Sequence, residues 1–167
     1  MCKTISEIML KMISISNGNQ HDINHFMKVY AYAKTIAECE NISQDDRVAV
    51  EAAAIIHDIA CPLCREKYGN TNGKKQEIEG VVLAKDFLMD TGLPEEIRNR
   101  VIFLVGHHHT PKDVDGIDYQ ILLEADYLVN ADEMNLSAEN IRNAMQKLFR
   151  TQTGISILRS IYEASAI

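Results

Sequence analysis

Apolar residues recur at three- and four-residue intervals along almost the whole chain, the spacing of one face of an α-helix. Ile5, Ile8, Met9, Met12 and Ile13 predict a first helix over residues 3–15. Ser16-Asn17-Gly18-Asn19 breaks it, since Gly and Asn favour turns. A second helix runs from about His21 to Glu40, with Val29, Tyr32, Ala33 and Ile36 inward. Ser43 caps a third, whose first turn carries Asp45 and Asp46 and whose apolar run reaches about Ile59. Residues 61–74 read as a loop, because Pro62 disfavours helix continuation and Gly69 to Gly73 are turn formers. Further helical stretches follow at about 75–89, 94–105, from 118, 137–149 and 155–164. No strand pattern or internal repeat interrupts them. The pattern predicts an all-α, compact single-domain helical bundle of about six to eight helices spanning residues 1–167.

Four positions conflict with this pattern. The run Ala52-Ala53-Ala54-Ile55-Ile56-His57-Asp58-Ile59-Ala60 should be core, yet it carries a histidine and an aspartate. His25 lies one turn before Val29 on the apolar face of the second helix, with His21 a turn earlier. Asp126 sits between Leu122 and Val129 on another apolar face. Each group alone could be a hydrogen-bonded core residue or a cap. An unpaired buried carboxylate is costly, however, and a divalent ion would satisfy all four at once. Imidazole and carboxylate suit Fe, Mn, Co, Ni or Zn without a thiolate.

Bulk properties narrow the partners. The 167 residues include 46% hydrophobic and 25% charged, which suits one globular domain. Eight glycines, three prolines and no tryptophan favour helices over a turn-rich β architecture. The net charge of −7 argues against a surface that grips a nucleic-acid duplex. It leaves room for a local basic pocket and a small phosphorylated substrate. The first residues carry no expected secretion signal, and no stretch reads as long enough to span a membrane. Cys2, Cys39, Cys61 and Cys64 are too scattered for a disulfide framework, so a reducing cytoplasm is expected. Cys61-Pro-Leu-Cys64 has redox-motif spacing but no preceding strand, and reads as a pair of buried or loop thiols. Seven methionines leave room for a homodimer interface.

Taken in order, three pieces resemble the HD-domain superfamily of metal-dependent phosphohydrolases: His25-Phe-Met-Lys-Val29, Ala-Ala-Ile-Ile-His57-Asp58-Ile, and Glu124-Ala-Asp126-Tyr-Leu. The resemblance covers about residues 21–135. It implies that His25, His57, Asp58 and Asp126 ligate one metal, with Asp58 also catalytic as the group that orients or deprotonates a water. Some members hold a second ion through extra histidines, and Gln76 stands where one of these is expected, so a dinuclear site would need other donors. His107, His108 and Glu77 are the candidates for a second metal or a substrate contact, with His108 first. His21, Arg65, Lys75 and His109 are candidates for binding substrate at the mouth. Magnesium is a further candidate for activity. The implied function is hydrolysis of a small phosphorylated metabolite such as a nucleotide. The same fold implies two alternatives, a diiron oxygenase and a non-catalytic nucleotide-binding domain.

Overall fold

In a computed structural model that describes residues 2–162, nine helices and no strand are found among the described residues. They are α1 (Cys2–Ile15), α2 (Gln20–Cys39), α3 (Gln44–Ile56), α4 (Cys61–Tyr68) and α5 (Gly73–Leu88). Then come α6 (Glu95–Val105), α7 (Ile117–Glu133), α8 (Ala138–Lys147) and α9 (Gln152–Tyr162). No described helix is long and apolar enough to cross a membrane.

The helix starts follow capping chemistry. Ser43 Oγ accepts from the backbone N–H of Asp46 at 3.1 Å, and Asn19 Oδ1 accepts from that of Asp22 at 3.2 Å. Ser137 does the same for Asn140 at 3.2 Å. Each cap satisfies one of the amide groups that a helix start leaves without a partner.

Helix α3 is the axis of the fold. Every residue from Val48 to Ile56 is buried, and α1, α2, α6 and α7 pack against it. Its run Ala52-Ala53-Ala54 is fully inaccessible and keeps the neighbouring helices close. Helix α7 lies against both α2 and α3, while α5 sits between α4 and α6. Large side chains such as Ile55, Ile56, Leu104, Leu122 and Leu128 fill the centre, where truncating one to alanine costs about 2–5 kcal/mol.

Three expectations from the sequence change. Residues 61–74 are not one loop, because Cys61–Tyr68 form α4 and bring the helix count one above the expected range. Pro62 is in the first turn of α4, where its missing N–H would have had no partner in any case. Gly69 ends that helix at φ 67°, a left-handed conformation that glycine adopts without strain. Helix α3 stops at Ile56 rather than near Ile59, and a tight turn over residues 57–60 carries the His-Asp pair. In that turn the Ile59 N–H reaches Ile56 O at 2.9 Å, and the Cys61 N–H reaches Asp58 O at 2.9 Å. The last helix begins at Gln152, and the expected end at residue 164 lies outside the described residues.

Candidate metal centre

Helices α2 and α7 and the turn after α3 bring the four anomalous residues together. His25 Nε2 lies 3.3 Å from Asp126 Oδ1 and 3.5 Å from Asp58 Oδ2. His57 Nε2 lies 3.5 Å from Asp126 Oδ1 and 3.7 Å from Asp58 Oδ2. The two imidazole Nε2 atoms are 3.2 Å apart. His108, just past α6, joins from the other side, with Nε2 3.4 Å from Asp58 Oδ1.

The other ring nitrogens fix the tautomers. His57 Nδ1 donates to Ala54 O at 2.9 Å, and His108 Nδ1 donates to Val105 O at 2.8 Å. His25 Nδ1 faces Glu133 Oε2 at 2.8 Å. With Nδ1 as the donor, each neutral ring aims an Nε2 lone pair at the cluster. Two bare lone pairs 3.2 Å apart would repel, so the arrangement calls for a positive charge between them, either a shared proton or a metal ion. Among the described residues, His108 Nε2 makes no hydrogen bond, with Asp58 Oδ1 its near neighbour at 3.4 Å, and for a buried nitrogen this is unfavourable unless something coordinates it.

Electrostatics give the same account. Burial alone would lower the pKa of His25, but Asp126, the Asp58 charge and Glu133 overcome it and raise it to about 9. Asp126 and Asp58 are held well below the usual carboxylate range: burial would raise both, but the surrounding histidines lower them further. Without an ion the cluster therefore keeps its carboxylates anionic and a proton on His25, and a metal ion would displace that proton. Among the described residues, His25, His57 and Asp58 form one group able to hold an ion, and Asp58, His108 and His109 form another. The donors fit a divalent transition metal, and neither Cys61 nor Cys64 belongs to these groups.

The remaining sequence candidates are placed as follows. His107 turns away, its ring stacked 4.1 Å from Phe103 and its Nδ1 donating to Phe103 O at 2.7 Å. Glu77 is buried and accepts from Thr110 Oγ1 at 2.7 Å, from the His109 N–H at 3.2 Å and from Lys74 Nζ at 3.1 Å. It braces the histidine turn from behind. Gln76 is also buried, its Nε2 donating to Thr71 O at 2.7 Å and its Oε1 accepting from Cys61 Sγ at 3.1 Å. Arg65 is committed to Asp22, and Lys75 Nζ lies over the Tyr68 ring at 4.1 Å. His21 is exposed, with Nδ1 3.5 Å from Asp22 Oδ1. Of the four mouth candidates, only His109 lines the cavity that opens onto Asp126. His109 is exposed overall, but desolvation of its ring and the adjacent His108 push its pKa down to about 4, so the ring is neutral at ordinary pH. The thiols of Cys61 and Cys64 are buried and free, with burial raising both pKa values.

Glu133 is the residue that sequence reasoning missed. It lies two helical turns beyond Asp126 on α7, and Lys28 Nζ holds its other oxygen at 3.2 Å. The segment that carries His108 is anchored as well. The Tyr119 hydroxyl reaches the carbonyls of His107 and Thr110. Arg100 pairs with Asp118 at 2.7 Å and with Asp115 at 2.8 Å.

Residues 22–140 match the family model of the HD domain. Among solved structures, a predicted HD superfamily hydrolase from an uncultured Thermotogales bacterium superposes with a TM-score of 0.67. The two are 22% identical, and the match covers 98% of this chain and 86% of that one. At this identity the likeness speaks for the fold. No curated protein matches the sequence.

Proposed function

The chain belongs to the HD domain family, and on that premise we propose that it is a metal-dependent phosphohydrolase acting on a small phosphorylated substrate. The observation that carries this reading is the set of three imidazoles, His25, His57 and His108, whose Nε2 atoms face Asp58 and Asp126 with Nδ1 fixed elsewhere. His25, His57, Asp58 and Asp126 would hold the ion, and His108 would complete its surroundings. Iron, manganese, cobalt, nickel and zinc all suit these donors. Once bound, the ion supplies a Lewis acid that polarises a phosphoryl oxygen and lowers the pKa of a water.

The residues of the chain do the rest. Asp58 is the most accessible of the four, its side chain 25% exposed against 11% for Asp126 and 8% for His25. In this reading it accepts a hydrogen bond from the attacking water and aims it at phosphorus. His109, neutral at the rim, offers the substrate a ring N–H without adding charge. Asn130 donates to Asp126 Oδ1 at 2.9 Å and holds that carboxylate toward the cluster.

A second reading, an oxygenase with two irons, is favoured by one feature: the two ion-compatible groups share Asp58. Gln76, fully engaged with Thr71 and Cys61, counts against it. Metal analysis of the purified protein, followed by a phosphomonoester screen with Mn, Co, Ni, Mg and Fe added in turn, separates the readings. Phosphate release that disappears on chelation is expected. Two irons per chain with a mixed-valence signal and no phosphate release would overturn the phosphohydrolase in favour of the oxygenase.

A further inference from the structure

Two cavities of this protein share one wall. The smaller, about 170 Å³, is bounded by His108, His109, Asp126 and Asn130 and so opens onto the proposed metal ligands. The larger, about 540 Å³, lies beyond it. Pro111, Leu123 and Leu148 line both and form an apolar shelf between them. Lys147 and Arg150 line the larger cavity and not the smaller one.

We propose that the larger cavity binds the remote end of the substrate, and that the substrate is a two-ended anion. It is an organic phosphate whose phosphoryl group sits at the metal ligands, whose apolar middle crosses the shelf, and whose second anionic group meets Lys147. The inference rests on the phosphohydrolase reading for the group placed at the ligands.

Charge argues for the anion. The chain carries a net charge of −7, yet two cations flank this cavity. The acid that lines it, Asp115, is already paired with Arg100 through bonds of 2.8 and 2.9 Å. Lys147 is exposed and makes no ion pair among the described residues. Arg150 is committed to the end of α8, its guanidinium donating to Gln146 O at 3.3 Å, Phe149 O at 2.7 Å and Lys147 O at 2.8 Å, so Lys147 is the cation that a ligand would meet. Hydrogen-bonding capacity argues against a nucleobase at this end. Gln120 spends both amide hydrogens on Glu124 Oε1 at 2.7 Å and Leu148 O at 2.8 Å, so it has only an acceptor left. An acceptor alone cannot match the paired donors and acceptors of a base edge, whereas an unpaired cation beside an apolar shelf suits a carboxylate or a second phosphate.

The test uses the purified, metal-loaded protein and calorimetric binding of non-hydrolysable probes. A graded length series of ω-phosphonoalkanoates is compared with alkylphosphonates of the same lengths. At one optimal length the carboxylate is expected to tighten binding about fivefold, the scale of one well-placed exposed charge contact. Lys147→Ala should abolish that advantage and Lys147→Glu should reverse it, with binding of the plain alkylphosphonate unchanged. Equal binding of the two series at every length, or an advantage that survives in Lys147→Ala, overturns the proposal. The matching ω-carboxyalkyl phosphates keep the two readings apart. Probe preference without phosphate release would sink the phosphohydrolase and leave the remote site standing. Phosphate release with no carboxylate preference would do the reverse.

Discussion

Glu133 Oε2 sits 2.8 Å from His25 Nδ1, on the opposite side of the ring from Asp126 Oδ1, which is 3.3 Å from Nε2. Helix α7 thus holds the His25 imidazole from both ends. Glu133 fixes the Nδ1–H tautomer and raises the basicity of Nε2. Replacing Glu133 by Ala should weaken metal binding about 10- to 100-fold while leaving the helical circular dichroism unchanged. Competitive titration with a chromogenic chelator measures this. An affinity within twofold of the parent would remove Glu133 from the role.

The contiguous histidines should separate by function. His108 Nε2 points at Asp58, whereas His107 stacks on Phe103. His108→Ala is expected to reduce metal content or turnover at least tenfold. His107→Ala should leave metal affinity alone and cost only stability, about 1 kcal/mol for a lost ring contact. Parallel metal analysis and urea unfolding of the two variants decide the matter. Equal loss of metal in both would contradict the geometry.

Metal loading should stabilise the fold, since the ligands come from two helices and a turn that are remote in sequence. At a free ion concentration of 100 Kd the gain is about 2.7 kcal/mol, or roughly 5–10 °C in Tm for a chain of this size. A chelator should return Tm to its starting value. In Asp126→Ala the metal-dependent rise should vanish. A Tm that ignores metal in the parent protein would count against the whole cluster as an ion site.

These expectations trace to residues of very different legibility. His25, His57, Asp58 and Asp126 stood out because each is polar at a position where helical periodicity demands an apolar side chain. Glu133 did not, because it follows Asn130, Ala131 and Asp132 at a helix end, where acids read as solvated. The one available signal was its spacing of seven from Asp126, two turns along the same face. Helix α4 was hidden by Pro62, since a proline in a first turn and a proline that breaks a helix look alike in one dimension. The split within His107–His109 depends on the angle at which the chain leaves α6, set by contacts of Tyr119 and Glu77 from distant helices. The basic end of the larger cavity was equally invisible, because Lys147 and Arg150 meet Leu123 and Pro111 only through folding.

The Arg100 cluster that anchors the histidine turn makes a prediction in which pH is the variable. Arg100 bridges Asp118, whose side chain is 2% exposed, and Asp115, whose side chain is 51% exposed. Arg100→Gln leaves the buried Asp118 carboxylate without its charged partner and should cost about 2–4 kcal/mol near neutral pH. The hydrogen bonds from Arg100 hold the Asp115 pKa below its ordinary value of 3.8. A carboxylate depressed in the folded state adds stability above its unfolded pKa and loses it as the pH falls through the folded value. The stability gap between parent and variant should therefore stay level from neutral pH down to mild acid. It should narrow only below the ordinary aspartate value, as Asp115 takes up its proton. Metal ligands titrate in both proteins and largely cancel in the difference. Urea unfolding of the pair across this range is the measurement, and a gap that widens in acid would show that Arg100 is not held by these carboxylates.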